Sequence, residues 1–217
     1  MFPESFTFSI ADWVNDWVDK LVTHYGDVFR HISDTLLWAI VKLEGLLRIA
    51  PWWVLLAIVG LIAWHATRKI TTTVIIISLL FLVGAVGLWD KLMQTLALML
   101  VATFISVLIG VPLGILSARS NRLRSVLMPL LDIMQTMPSF VYLIPVLMLF
   151  GLGKVPAIFA TVIYAAPPLI RLTDLGIRQV DGEVMEAINA FGANPWQQLF
   201  GVQLPLALPS IMAGINQ

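Results

Sequence analysis

Cysteine is absent from this 217-residue sequence, and charged residues make up only 12% of it. The lack of cysteine excludes disulfides, thiolate metal sites and thiol catalysis. Soluble domains contain roughly 25% charged residues, so the low charge and the 59% of hydrophobic residues indicate a membrane protein. A formal net charge of zero argues against a nucleic-acid partner, because such partners select basic surfaces.

Patterns that would give the chain chemistry of its own are also missing. The phosphate-binding loop Gly-x-x-x-x-Gly-Lys-[Ser/Thr] does not occur, so nucleotide hydrolysis would need another polypeptide. His24 and His31 are seven residues apart, and no third ligand accompanies them. We therefore expect no catalytic residue, no metal and no cofactor. No basic segment precedes an apolar core at the N-terminus, so a cleavable signal peptide is not predicted.

Five apolar runs are long enough, or nearly so, to cross a bilayer, which takes about 20 helical residues. They lie at residues 49–66, 72–89, 92–118, 126–152 and 155–172. A sixth run begins near Leu206 and reaches Gln217, which we expect to be too short to cross. The predicted fold is an all-α, polytopic transmembrane helical bundle.

Three parts of the chain follow from these runs. Residues 1–48 form an extracytoplasmic or interfacial tail, residues 49–89 two peripheral transmembrane helices, and residues 90–217 a core domain. The tail has one apolar helical face, made of Ile10, Trp13, Val14, Trp17, Val18 and Leu21. Such a helix can lie in the membrane interface or pack on the protein's own outer surface, and the pattern leaves both open.

Basic residues in the short connections predict the orientation of the chain. Arg68 and Lys69 follow the first run, and further arginines follow the third and the fifth. The opposite side receives one basic residue per connection, Lys91 and Lys154. The side rich in arginine is therefore predicted to be cytoplasmic, and the N-terminus extracytoplasmic.

A helix, a glycine break and a second helix are predicted after the fifth run. Asp181 is a good N-cap, and Gly192 tolerates the positive φ that follows a helix end. Asn194 and Gln197 have the spacing of a capping box, with Pro195 at the first helical position. We expect this second helix to stop before Pro205.

This segment resembles the "EAA" loop of ABC-importer permeases. The family pattern is Glu-Ala-Ala, three free positions, Gly, nine free positions and Ile-x-Leu-Pro. The matching positions are Glu186, Ala187, Gly192, Leu204 and Pro205, while Ile188 replaces the second Ala and Val202 the Ile. The resemblance implies a coupling loop at residues 173–205 that docks on a cytoplasmic ATPase.

The fourth run carries polar residues around two prolines in mid-span. The polar residues are Gln135, Thr136, Ser139 and Tyr142, and the two prolines are Pro138 and Pro145. The run resembles the Gln-Thr-x-Pro-Ser segment of permeases from glycine betaine, proline betaine and choline importers. These residues line a translocation path for a polar solute or hydrogen-bond between helices at a structural kink, and both interpretations stay open.

Two further features of the runs have structural explanations. Asp132 is the only carboxylate within the five runs, and an interfacial position is favoured over a deep ion site. Gly110, Pro112 and Gly114 make a flexible point in the third run, and close helix packing is favoured over gating.

The resemblance implies a permease subunit of an importer of quaternary ammonium osmolytes in the cell inner membrane, with further C-terminal spans absent from this chain. Its implied partners are an ATP-binding subunit, a periplasmic solute-binding protein, a second permease copy and the lipid bilayer. The alternatives are an ABC permease for another small polar solute and a secondary transporter, which would need a coupling carboxylate at mid-membrane. An intramembrane hydrolase would need a base, yet no histidine lies in the middle of a run.

Overall fold

A computed structural model describes residues 10–217, apart from the side chains of residues 10–12 and 139. Within this range the chain forms helices joined by short turns and contains no strand. The helices are α1 (Ile10–Ile49), α2 (Trp52–Thr67), α3 (Ile70–Ala85), α4 (Trp89–Arg119), α5 (Asn121–Thr136), α6 (Ser139–Phe150), α7 (Lys154–Arg178), α8 (Gly182–Ala190), α9 (Pro195–Gln198), a π-helical segment (Leu199–Gln203) and α10 (Leu204–Ile215). The predicted all-α fold is confirmed.

Two compact units divide the described chain. One comprises Arg30–Val101, and the other joins the described residues up to Phe29 with Ala102–Gln217. Within the first unit α2 packs against α3, and the rings of Trp52 and Phe81 have centroids 6.3 Å apart. The second unit contains all the residues for which a functional role is predicted.

Helix α7 is the centre of the second unit, because α5, α6 and α10 all pack against it. On one side of α7, Leu169 and Ile177 form a buried cluster with α10. On another side, Ala166 and Ile170 pack against Leu131 of α5. An apolar helix with neighbours on several sides has few positions left for solvent or lipid, so α7 is buried over much of its length.

Close packing explains the glycines of the third run. A Cβ on Gly110 would lie 2.8 Å from Leu169 Cδ2, and a Cβ on Gly114 would lie 2.8 Å from the carbonyl oxygen of Ile170. The packing interpretation is confirmed, since only residues without a Cβ let α4 approach α7 this closely.

Helix lengths agree with the predicted spans at residues 92–118 and 155–172, whereas the other runs form shorter helices or parts of bent pairs. Among the described residues, three helical stretches are long and apolar enough to cross a membrane, Trp89–Arg119, Lys154–Arg178 and Pro195–Ile215, and two bent helix pairs raise the number to five if each is one span. Helices α2 and α3 have 16 residues each, which gives about 24 Å at 1.5 Å per residue. The prediction that the last run is too short was wrong, because its helix begins at Pro195 and continues through Pro205 for 21 residues.

The fourth run is not one continuous helix. It forms α5 and α6, which are bent by 95° at residues 137–138, as a broken span or a re-entrant segment would be. Met137 is extended, with φ −81° and ψ 137°. The ring of Pro138 disfavours helical geometry in the preceding residue, so the helix ends there rather than kinking. Pro145, in contrast, is accommodated inside α6.

The N-terminal tail is helical in the described part, as predicted. Helix α1 continues to Ile49 and turns by 97° into α2. Trp13 and Trp17 are exposed on it, while Val18 is buried. The side chain of Ile10, which belongs to the predicted apolar face, lies outside the described residues.

The α4–α7 contact predicts opposite effects for two glycine substitutions. Gly114→Ala should lower the free energy of unfolding by about 1–3 kcal/mol, because the new Cβ meets backbone atoms that cannot move aside. Gly45→Ala, in α1, has nothing within 4 Å of the new Cβ and should stabilise its helix by about 0.5–1 kcal/mol. Thermal unfolding of the two purified variants in detergent tests this, and equal stabilities would contradict the close packing.

Candidate functional site

Helix α8 begins as the sequence predicts. Asp181 is the N-cap, and its carboxylate accepts a hydrogen bond from the N–H of Glu183 (2.8 Å). Glu183 lies in the first turn, near the positive end of the helix dipole. The start of α8 is therefore fixed by local hydrogen bonding, which requires no contact with the rest of the unit.

Gly192 ends the helix with a Schellman motif. Its φ is +74°. The N–H of Gly192 donates to the Asn189 carbonyl (2.9 Å), and the N–H of Ala193 donates to the Ile188 carbonyl (3.2 Å). The predicted glycine break is confirmed, since this backbone conformation strains any residue with a Cβ.

The capping box that opens α9 is also present. Asn194 Oδ1 accepts from the N–H of Gln197 (2.9 Å), and Gln197 Oε1 accepts from the N–H of Asn194 (2.8 Å). Pro195 occupies the first turn. Helices α8 and α9, joined by Gly192, are called the hairpin below.

Gln198 holds the two helices of the hairpin together, a role that the sequence analysis missed. Its Nε2 donates to Asn189 Oδ1 (2.7 Å) and to the Ala193 carbonyl (2.8 Å). One side chain thus fixes the end of α8 against the turn that leads to α9. A short helix pair with such a link keeps its angle better than a glycine turn alone would.

Leu204 and Pro205 are not part of the turn. They begin α10, so the prediction that the second helix stops before Pro205 was wrong. The π-helical segment explains the difference: the N–H of Leu204 donates to the Leu199 carbonyl, five residues back. Because the preceding turn is π-helical, Pro205 falls at the start of the next α-helical stretch. A missing N–H costs little there.

The hairpin presents an exposed face with apolar and acidic groups. Phe191 is 91% exposed and Trp196 64% exposed, and the Trp196 ring stacks on Phe200 at 5.6 Å. Glu186 and Ala187 are exposed on α8. Large apolar side chains on a polar turn are typical of a protein contact surface.

A buried carboxylate lies at the base of the hairpin, in the last turn but one of α7. Asp174 Oδ1 accepts from Ser117 Oγ (2.9 Å) and Arg178 Nε (3.3 Å), and its Oδ2 accepts from Arg124 Nε (3.1 Å). Arg178 Nη2 also donates to the Ser117 carbonyl and to Asn121 Oδ1. These five residues, Ser117, Asn121, Arg124, Asp174 and Arg178, are called the Asp174 cluster. Asp174 falls within the predicted coupling loop, residues 173–205, and its burial was not predicted.

The polar residues at the α5–α6 bend mainly satisfy backbone groups. Pro138 lacks the N–H that would reach the Met134 carbonyl, and the Tyr142 hydroxyl donates to that carbonyl instead. Thr136 Oγ1 donates to the Ile133 carbonyl (3.0 Å). Gln135 is exposed, and the Ser139 side chain lies outside the described residues. The bend therefore has the hydrogen bonds of a structural kink, while the role of these residues in a path remains a prediction.

Asp132 pairs with Arg171 across α5 and α7, with Nη2 and Oδ1 2.6 Å apart. Its side chain is 61% exposed, whereas that of Asp174 is 2% exposed. An exposed, paired carboxylate fits the expectation of a position near the membrane edge.

Comparison with known proteins places the chain in a family. Residues 110–216 match the model of "Binding-protein-dependent transport system inner membrane component". The chain is 41% identical over 214 residues to the glycine betaine/carnitine transport permease protein GbuB of Listeria monocytogenes, covering 97% of this chain and 76% of the relative. It is 41% identical over 208 residues to the glycine betaine transport system permease protein OpuAB of Bacillus subtilis, covering 96% and 73%. The chain belongs to the glycine betaine and choline permease family of binding-protein-dependent importers.

A longer relative is the glycine betaine/proline betaine transport system permease protein ProW of Escherichia coli. It is 46% identical over 208 residues, which cover 96% of this chain. The same match covers 58% of ProW, so the chain spans somewhat more than half of that relative's length. The family match begins at Gly110 and includes α7, the hairpin and all of α10.

The bend at Pro138 predicts a specific role for one hydroxyl. Tyr142→Phe should destabilise the protein by about 1–3 kcal/mol, because the Met134 carbonyl would lose its replacement donor in an apolar setting. Tyr164→Phe is the matched control, since Tyr164 lies exposed on α7. Thermal unfolding in detergent compares the two, and equal melting temperatures would show that the carbonyl finds another donor.

Proposed function

We propose that the chain is the permease subunit of an ATP-driven importer of quaternary ammonium osmolytes such as choline, glycine betaine and proline betaine. The family membership supports the class, and the names of the relatives support the solutes. The observation that carries the mechanism is the hairpin: a rigid pair of short helices with an exposed apolar face at the end of the buried helix α7.

The hairpin is the contact for a cytoplasmic ATP-binding subunit in this proposal. Phe191 and Trp196 would enter an apolar groove, and Glu186 can pair with a basic group across the contact. The cap, the Schellman motif and Gln198 fix the hairpin's shape before it binds, which lowers the ordering cost of association. Ala187 lies on the same short helix, while Leu204 and Pro205 would act from α10 by continuing the second limb into the core.

The orientation proposed from the arginine distribution has support within the second unit. The connection that follows the third run and the one that follows the fifth meet in the Asp174 cluster, through Arg124 and Arg178. Two connections that touch lie on one side of a membrane, and their arginines favour the cytoplasm. The N-terminus would then be extracytoplasmic.

A second permease copy and a periplasmic solute-binding protein complete the proposed assembly. Many large apolar side chains are exposed on α2, α3 and α4, such as Leu61, Phe81 and Phe104. Lipid or a partner subunit would cover such surfaces in the membrane. Selection of a trimethylammonium group by aromatic faces would lie mostly with the solute-binding protein.

A secondary transporter is the competing function, and the energy source separates the two. Uptake should fail when ATP is depleted and should persist with an uncoupler while ATP is held constant. The reverse result would favour ion coupling. Asp132, the carboxylate considered for that role, is exposed and paired with Arg171, which suits coupling poorly.

We predict that unlabelled glycine betaine and proline betaine compete with labelled choline for uptake by the intact system. Sugars and methionine, at the same concentrations, should compete little. Competition by a sugar or by methionine, together with no effect of the betaines, would reject the osmolyte assignment while leaving the permease class in place.

Gly192→Val should uncouple the proposed ATPase contact. A β-branched residue at φ +74° costs about 1 kcal/mol or more and turns α9 away from its partner. Hydrolysis by the ATPase should no longer be stimulated by loaded receptor, or the ATPase should no longer co-purify. Gly182→Ala is the control, because Gly182 lies in the same hairpin with open space around it. Wild-type stimulation in Gly192→Val would remove the docking role from the hairpin.

A further inference from the structure

The Asp174 cluster joins three helices through one buried carboxylate. Ser117 comes from the end of α4, Arg124 from the first turns of α5, and Asp174 and Arg178 from the last turns of α7. Both carboxylate oxygens are occupied by donors from different directions. A displacement of any one of the three helix ends therefore breaks a charged hydrogen bond.

The buried charge of Asp174 is poorly explained by a contribution to stability. Desolvating a carboxylate and its arginine partners offsets much of their attraction, and apolar side chains of similar volume often stabilise a fold as well. The ion pairs add geometric specificity, because the N–H groups of a guanidinium donate hydrogen bonds in fixed directions. A buried, paired carboxylate near the end of a membrane-spanning helix is also a candidate functional position.

The cluster lies where the hairpin leaves the core. Arg178 is the last residue of α7, and residues 179–181 separate it from α8. The second limb is held at the same corner, because the guanidinium of Arg119, at the end of α4, lies 5.8 Å from the centroid of the Trp196 ring. Both limbs of the hairpin are thus attached to the corner between α4 and α5.

We infer that Asp174 is a positioning residue for coupling, which locks the base of the hairpin to the α4–α5 corner so that hairpin and core helices move together. This inference rests on the coupling role proposed for the hairpin. Without the hydrogen bonds of Asp174, the turn at residues 179–181 becomes a hinge. A movement imposed on the hairpin by the ATPase would then bend that turn and would not reach α4 and α5.

The first test compares two carboxylates on the same pair of helices. Asp174→Asn keeps the size of the side chain and removes the charge that Arg124 and Arg178 bind. Asp132→Asn breaks the exposed pair with Arg171, which also joins α5 and α7. In the reconstituted complex, the number of solute molecules transported per ATP should fall about fivefold or more for Asp174→Asn and stay near wild type for Asp132→Asn.

The second test measures the lock directly and does not depend on transport. The sequence has no cysteine, so Ser125→Cys on α5 and Ala190→Cys on α8 give one pair of spin-label sites in each permease copy, both of them exposed. With Asp174 present, the distance between the labels should keep one narrow distribution with and without ATP. With Asp174→Asn, the distribution should broaden or change with nucleotide.

Arg124→Gln covers the case in which Asp174→Asn does not fold. The Arg124 side chain is 46% exposed, and its removal leaves Asp174 with two donors, Ser117 and Arg178. This variant should show the same loss of transport per ATP in a weaker form. Wild-type coupling together with a narrow label distance in Arg124→Gln and Asp174→Asn would overturn the inference. If loaded receptor fails to stimulate hydrolysis even in the wild type, the proposed coupling function itself is wrong.

Discussion

Backbone hydrogen bonding in apolar surroundings is the constraint on which this structure depends. Water cannot satisfy an N–H or a C=O inside a membrane, so each interruption of a helix needs a local replacement. At Pro138 the Tyr142 hydroxyl supplies the missing donor. Just before Pro205, a π-helical turn pairs the N–H of Leu204 with the Leu199 carbonyl, five residues back. The hairpin is exposed, yet its helix ends are satisfied in the same local way, the N–H groups by Asp181 and Asn194 and the carbonyls by the Schellman motif at Gly192.

The same constraint decides which polar residues are free to act on a solute. Thr136 and Tyr142 donate to carbonyls of their own bend, so their hydrogen-bonding capacity is partly used before any ligand arrives. Gln135, by contrast, is exposed. A path through this region would therefore depend on the shape of the bend as much as on its polar groups.

Local rules made the hairpin predictable, and distant contacts made its base unpredictable. The N-cap at Asp181, the positive φ at Gly192 and the capping box at Asn194 each depend on residues within one turn. Asp174, by contrast, meets partners 57 and 50 residues away, and nothing in its neighbourhood in the sequence indicates Ser117 or Arg124.

The 95° bend was missed for another reason: an apolar run counted by composition gives no angle, and two prolines in one run had unequal effects.

The π-helical segment at Leu199–Gln203 fixes the rotational phase between the two halves of one helical stretch. Upstream, Trp196 faces the α4 corner, and downstream, Ala207 and Ile211 face α7. One residue corresponds to about 100° of rotation in an α-helix. A chain that lost one residue here would rotate either Trp196 away from Arg119 or Ala207 and Ile211 away from α7. A deletion between Trp196 and Ala207 therefore costs one of these two sets of contacts.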